Sequence, residues 1–325
     1  MSPAIDVIIV NWNAGEQLWT CLHSLAYAAW QGAPVSSVIV VDNASSDRSL
    51  DGIEALRLPL TVIRNATNLG FGKACNQGAR IGKADYLLFL NPDMRVNANS
   101  LQIPLAFLEN EANARYAVAG VRLRNLAGEI SRSCARFPTP WRFFASAIGL
   151  DRLLPSHPVG IHMSDWAHDA PSDVDHVIGA FYLIRRNIFE QIGGFDERFF
   201  VYLEDLDLSY RVHQAGYRIR YMIEAEAIHK GGGTSEAVQA QRLFFALRSR
   251  IQYAFKHFSR KAAVAVLFTT FILEPPVRLG FAAMRRSSID WRNTLSAYRL
   301  LGRDALATCL SGPNDTNQSV MSNDG

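Results

Sequence analysis

A chain of 325 residues with 49% hydrophobic and 19% charged side chains holds enough apolar material for one large core or two, which excludes a disordered or low-complexity protein. The four cysteines, Cys21, Cys75, Cys134 and Cys309, are scattered without a Cys-x-x-Cys, so they indicate neither a zinc site nor a disulfide framework and fit a reducing cytosol. The net charge of +3 is uneven: residues 242–303 carry twelve Lys or Arg against Glu274 and Asp290, while the remaining residues carry 21 basic and 28 acidic side chains, a net of −7.

Residues 1–20 lack a basic start, an apolar core and a small-residue cleavage site; they read as a first strand, and secretion is not implied. The β-branched run at 5–10 suits a central parallel strand, Asn11-Trp-Asn-Ala-Gly15 is the turn after it, and a helix is expected over 16–29. A second strand at 38–41 ends in Asp42-Asn-Ala-Ser-Ser-Asp47. There the Asp42 carboxylate can accept hydrogen bonds from a nucleobase N–H or a ribose hydroxyl, and capping of the next helix falls more naturally to Ser45, Ser46 or Asp47. A third strand at 60–64 precedes Asn68-Leu-Gly-Phe-Gly72 and a helix over 73–81. The glycines here follow the third strand rather than the first, and Cys75 stands where a dinucleotide fingerprint needs its third glycine, so a nicotinamide site is rejected. Small residues opening a helix still permit close backbone approach by a ligand.

Residues 85–95, Asp-Tyr-Leu-Leu-Phe-Leu-Asn-Pro-Asp-Met-Arg, contain a five-residue apolar run from Tyr86 to Leu90 suited to a strand buried on both faces, which Pro92 ends for want of an N–H. Asp93 then sits at the carboxyl end of a strand, the edge where open α/β sheets bind ligands. The plainer alternative is an Asx turn or a cap for a helix starting near Asn99. Strands and helices alternating at this spacing make βαβ units with right-handed crossovers. Further on, a helix is expected over 100–111 and strands over 116–121 and 177–184. The segment 122–173 shows no clear period and reads as a lid or acceptor loop, with His157, His162 and His168 as surface residues. If a helix begins near Glu204, its positive end favours the ionised forms of Glu204 and Asp205, and Asp207 can pair with Arg211 four residues on.

Val7-Ile-Ile-Val-Asn-Trp-Asn13, Val41-Asp-Asn-Ala-Ser-Ser-Asp47, Asn68-Leu-Gly-Phe-Gly72 and Phe89-Leu-Asn-Pro-Asp93, in this order, resemble the family 2 glycosyltransferases of the GT-A fold, especially the rhamnosyltransferase-like branch, over residues 5–235. The resemblance implies an α/β fold with a Rossmann-like, mostly parallel nucleotide-binding sheet. It implies a donor nucleotide held by Asn11, Asn13, Asp42, Asn68, Gly70, Phe71, Gly72 and Asn91. It further implies Mg²⁺ or Mn²⁺ on Asp93 and His229, and a catalytic base from Glu204-Asp205, with Asp205 the usual candidate. Many relatives carry Asp-x-Asp where this chain has Asn91-Pro92-Asp93, so fewer charges meet the metal. The expected reaction is inverting transfer of a deoxyhexose such as L-rhamnose from a nucleotide diphosphate sugar, with dTDP favoured over UDP or GDP, to a glycan or a polyprenyl-pyrophosphate-linked glycan. No nucleic-acid partner is expected. A sugar-1-phosphate nucleotidyltransferase fits less well, since residues 11–20 hold no Lys or Arg to grip phosphate, and an inactive sugar-nucleotide- or glycan-binding module is a third reading.

The expected division is a donor half (1–98), an acceptor and catalytic half (99–238), a basic amphipathic helical extension (239–305) and a disordered tail (306–325). Gly231-Gly232-Gly233 suggests a flap closing over the diphosphate. Residues 262–273 are uncharged but too few to cross a bilayer, and Pro275-Pro276 should stop the helix; the basic surroundings suit peripheral attachment at the cytoplasmic face of the inner membrane, the alternative being a helical extension that packs on the catalytic domain.

Overall fold

The computed structural model describes residues 3–231 and 239–311. They fall into two compact units, one of residues 1–138 and 154–234 and the other of residues 139–153 and 235–325. In chain order the first unit begins β1 (Ile5–Asn11), α1 (Glu16–Trp30), β2 (Val35–Asp42), β3 (Leu60–Arg64), α2 (Phe71–Ile81), β4 (Tyr86–Leu90), β5 (Met94–Arg95) and α3 (Ala98–Glu109). It continues with β6 (Tyr116–Arg124), β7 (Ile130–Ser131) and β8 (Cys134–Ala135). After α4 (Pro140–Ala147) and α5 (Leu150–Leu153), which belong to the second unit, come β9 (Ser172–Val174), β10 (His176–Val177), β11 (Phe181–Arg185), α6 (Arg186–Gln191), α7 (Glu204–Gln214) and β12 (Arg218–His229).

The main path of the large sheet runs β3-β2-β1-β4-β11-β6-β12-β5. β1 is parallel to β2 and β4, whereas β11 is antiparallel to both β4 and β6. Every residue of β1 and of β4 is buried, as expected for strands covered on both faces. One apolar layer packs α1 and α3 against Val7, Val38 and Leu88; the other packs α2 and α7 against Ile8, Ile39 and Phe89. Helix α3 is capped by Asn97 in a reciprocal box with Ser100, which leaves Asp93 free of the capping role that was its plainer alternative.

Several expectations change, among them the strand over 177–184, which is broken into β10 and β11. Helix α2 starts at Phe71 rather than Lys73, so Gly72 lies inside it. His168 is not a surface residue: it is fully buried, stacks on Trp166, and its Nε2 accepts the Cys134 N–H at 3.1 Å. The segment 122–173 carries short strands and two helices rather than one featureless loop.

The second unit adds α8 (Gln239–His257), α9 (Arg260–Phe268), α10 (Glu274–Met284) and α11 (Ser288–Ser311), with Phe244, Leu247, Ala297 and Leu301 as its buried core. Pro275 and Pro276 do not stop the helix. A π-helical turn over Thr269–Leu273 joins α9 to α10 and lets the ladder absorb two missing N–H groups, and the two prolines sit in the first turn of α10. The continuous stretch Arg260–Met284 is therefore 25 residues long and reaches a mean hydropathy of 1.5, enough by length and composition alone to cross a bilayer. Within it Glu274 is buried and bonded by Arg250 and Arg278. Residues 232–238 and 312–325, which include Gly232, Gly233 and most of the expected tail, lie outside the described residues.

Near the start of β1, Asp6 is 1% exposed and accepts from Ser37 Oγ, Ala84 N at 2.7 Å and Arg186 Nη2 at 2.7 Å. Arg186→Ala leaves a buried carboxylate without its cation and is expected to cost about 3–5 kcal/mol; a thermal melt that matches the wild type would refute this.

Candidate active site

The polar loops gather where β1, β2 and β4 end, at the carboxyl edge of the sheet. Asn11 and Asp42 are register partners at the ends of β1 and β2. Asn11 Nδ2 donates to Asp42 Oδ1 at 2.7 Å and to Ser49 Oγ at 2.8 Å, while Ser45 N–H reaches Asp42 Oδ2 at 3.2 Å. Asn11 is wholly buried and Asp42 is 4% exposed, so Asn11 acts only through its partners Asp42, Ser45 and Ser49. Asn13, at φ 51°, accepts the Ser46 N–H at 2.7 Å, and Asp47 accepts the Gly15 N–H at 2.8 Å. These bonds stitch the first loop to the second. Burial pushes the Asp47 carboxyl up, but the Ser49 hydroxyl and the N–H groups of Gly15 and Ser49 hold it below the usual carboxylate range.

The Asn68–Gly72 turn is organised by the protein itself. Asn68 Oδ1 accepts the Gly70 N–H at 2.9 Å, and the Phe71 N–H is spent on Phe200 O at 2.8 Å. Gly70 has φ +85°, and a Cβ there would lie 2.3 Å from Phe200 O. The close backbone approach expected of a ligand is made here by the chain segment leading to Glu204. Phe71 packs edge-on against Phe195.

That segment is strained: Tyr202 and Leu203 both have left-handed φ, 68° and 63°, immediately before α7. Non-glycine residues in this region cost about 1–3 kcal/mol each and collect at functional sites. They deliver two adjacent acids to different surroundings. Glu204 is buried, its Oε2 has no hydrogen-bond partner, and burial with Asp205 and Asp207 nearby pushes its carboxyl well up. The Asp205 side chain is 20% exposed; its Oδ2 accepts the Gly179 N–H and its Oδ1 the Leu206 N–H, both at 2.8 Å. Burial raises Asp205, but His176 and these N–H groups outweigh it and hold the carboxyl below its ordinary value. Asp207 pairs with Arg211 at 2.9 Å, as the spacing predicted.

The loop before β11 joins the Asn91–Asp93 turn to Asp205, because the Asn91 N–H donates to Ala180 O at 3.0 Å while the Gly179 N–H donates to Asp205. On the other flank β12 returns antiparallel to β5, with His229 opposite Met94. This brings His229 Nε2 to 3.2 Å from Asp93 Oδ2, which also accepts the Gly231 N–H at 3.1 Å. Burial pushes Asp93 up, and the hydrogen bond and charge of His229 hold it lower than usual. Two donors on adjacent positions of an octahedral cation at about 2.1 Å stand roughly 3 Å apart, so this pair fits one divalent ion. Among the described residues no third His, Cys, Asp or Glu joins them. A cleft of about 220 Å³ opens beside Asp93, lined also by Glu16, Thr20, Arg95, Leu126 and Lys230. Reading the sequence missed His176, Gly179 and Ser49. None lies in a recognisable motif, and only the fold brings them to Asp205 and Asn11.

A mixed, mostly parallel sheet with carboxylates collected along one edge has the architecture of the GT-A class of sugar-transferring enzymes. The sequence profile of glycosyl transferase family 2 matches residues 6–193, and the chain belongs to that family. It is similar to the N-acetylglucosaminyl-diphospho-decaprenol L-rhamnosyltransferase of Mycobacterium tuberculosis, 29% identical over 244 residues, covering 70% of this chain and 76% of that one. The rhamnosyltransferase WbbL of Escherichia coli is 32% identical over 183 residues, 54% of this chain and 62% of its own. In fold it is similar to the mannosyltransferase PcManGT of Pyrobaculum calidifontis, solved with GDP-Man and Mn²⁺, at TM-score 0.54 and 16% identity over 95% of this chain and 81% of that one.

Glu204 yields a test of the two environments. A carboxyl whose native pKa is raised loses stability as pH climbs above its unfolded value, because the unfolded chain ionises first. Glu204→Gln is therefore expected to melt higher than the wild type at pH 7, with the gap closing as pH falls through the ordinary glutamate range; a gap of the same size at pH 4 would show that charge is not its cause.

Proposed function

We propose that the protein transfers a deoxyhexose, L-rhamnose from dTDP-rhamnose being favoured, to a hydroxyl of a glycan carried on a polyprenyl diphosphate, with inversion at the anomeric carbon. The observation that carries the reading is the approach of His229 to Asp93 at the sheet edge that also holds Asp42 and Asp205. The names of the two curated relatives support the sugar and, in the mycobacterial one, a lipid-diphosphate acceptor.

Residues 1–98 supply the donor side: Asp42, braced by Asn11, accepts from the base or ribose, and Asn13, Asn68, Gly70, Phe71, Gly72 and Asn91 shape the loops around it. Asp93 and His229 would hold Mg²⁺ or Mn²⁺, which when bound neutralises charge on the departing diphosphate. Residues 99–238 supply Asp205, ionised and partly exposed, to take the proton of the acceptor hydroxyl as its oxygen bonds to the anomeric carbon and the diphosphate leaves from the opposite face. Glu204, 5% exposed and with its carboxyl pushed up by burial, is less accessible to an acceptor hydroxyl.

In the second unit, Val264, Phe268 and Ile272 recur every four residues with exposures of 49%, 56% and 55%, beside Arg260 and Lys261. Such a basic, apolar-ridged helix supports peripheral attachment to the cytoplasmic membrane face, each basic side chain adding about 1 kcal/mol near anionic lipid.

A panel of nucleotide sugars with Mn²⁺, read as released nucleoside diphosphate, tests the reaction. We expect dTDP-rhamnose to be consumed, and Asp93→Ala to lose the metal-dependent part of donor binding measured by calorimetry. No turnover of any donor would leave a binding module instead. The full chain is expected to co-sediment with anionic liposomes at low ionic strength and to be partly released by high salt; failure to bind at low salt would refute the membrane reading.

A further inference from the structure

Behind Asp205 lies a chain of buried polar groups. His176, in β10, is 3% exposed; its Nε2 stands 3.5 Å from Asp205 Oδ2 and its Nδ1 2.8 Å from Ser209 Oγ. Ser209, one turn after Asp205 on α7, is fully buried and lies 3.0 Å from the Tyr182 hydroxyl of β11. Burial pushes the Tyr182 phenol up, so it keeps its proton and can donate to Ser209. Ser209 then donates to Nδ1, which leaves the imidazole proton on Nε2, facing the carboxylate. The order is Tyr182 to Ser209 to His176 to Asp205, and its only partly exposed member is the carboxylate. Hence Ser209 is no nucleophile, and the working end of the chain is Asp205.

We propose that His176 is the positioning residue of this base: its Nε2–H holds the Asp205 carboxylate in the orientation that receives the acceptor's proton, and Ser209 with Tyr182 sets the tautomer behind it. The inference rests on Asp205 being the base. The contact is long, as catalytic hydrogen bonds often are before substrate binds. Other titratable groups around Asp205 do not supply this function. Glu204 and the Cys75 thiol are buried and pushed up by that burial, Tyr182 faces Ser209, and Asp207 is spent on Arg211. Removing the imidazole from a carboxylate that it stabilises raises the pH at which that carboxylate titrates.

The test is a ¹³C NMR titration of the Asp205 carboxyl, assigned by its loss in Asp205→Asn, alongside turnover of dTDP-rhamnose with Mn²⁺ as a function of pH. In His176→Phe the carboxyl is expected to titrate about one unit higher than in the wild type. The acidic limb of kcat/KM should move with it, donor KM should stay unchanged, and kcat should fall by less than the about hundredfold of Asp205→Asn. His176→Gln, which returns an N–H near the Nε2 position, should restore the titration. An unshifted Asp205 titration in His176→Phe overturns the inference. Should that variant not fold, Ser209→Ala decides instead: the same upward movement, smaller, supports the proposal, and no movement overturns it. Wild-type turnover by Asp205→Asn would instead overturn the base assignment, a separate failure read from a separate variant.

Discussion

The site depends on the two different neighbours of β4. Four of its five buried residues pair in parallel with β1 on one side, and all five pair antiparallel with β11 on the other. The parallel side sends the ends of β1 and β2, with Asn11 and Asp42, to the same edge as Asn91 and Asp93. On the other side the antiparallel strand starts at that edge, so the loop before it meets Asn91 through Ala180 and Asp205 through Gly179. One strand thereby couples the Asn11–Asp42 side and the Asp205 side, and neither can shift without disturbing a fully buried ladder. The clamp of Arg186 on Asp6 holds the opposite end of the same strands.

Adjacent acids acquire opposite chemistry from a single strained turn. Left-handed backbone at Tyr202 and Leu203 starts α7 so that Glu204 enters an apolar interior with an orphaned oxygen, while Asp205 meets two N–H groups and an imidazole. The two carboxyls are thereby driven to opposite sides of their ordinary range. Gly70, just before α2, serves the same end, since it lets Phe200 come close enough to fix the segment that carries this turn.

In the second unit, charge and apolar surface coexist without conflict because the charges that lie inside are paired. Glu274 is bonded by Arg250 and Arg278, and Arg248 meets Asp304 at 3.1 Å, while the apolar ridge of Val264, Phe268 and Ile272 along α9 and the π-helical turn is exposed. The π-helical turn ahead of Pro275 shows why a Pro-Pro pair need not end a helix when the preceding ladder can widen.

The sequence by itself determined the strand–helix alternation, the position of Asp93 after a buried strand, the start of α7 at Glu204 and the Asp207–Arg211 pair, because each follows from local period, chain stiffness or spacing within one element. Its family was legible in four short motifs for the same reason. Only the tertiary structure decided that His229 meets Asp93, that Asn11 braces Asp42 from a buried position, that His168 is a core residue, and that His176 stands behind Asp205. These contacts join residues dozens to more than a hundred positions apart, and they are set by strand register and by backbone that runs against local preference, neither of which a periodic pattern records.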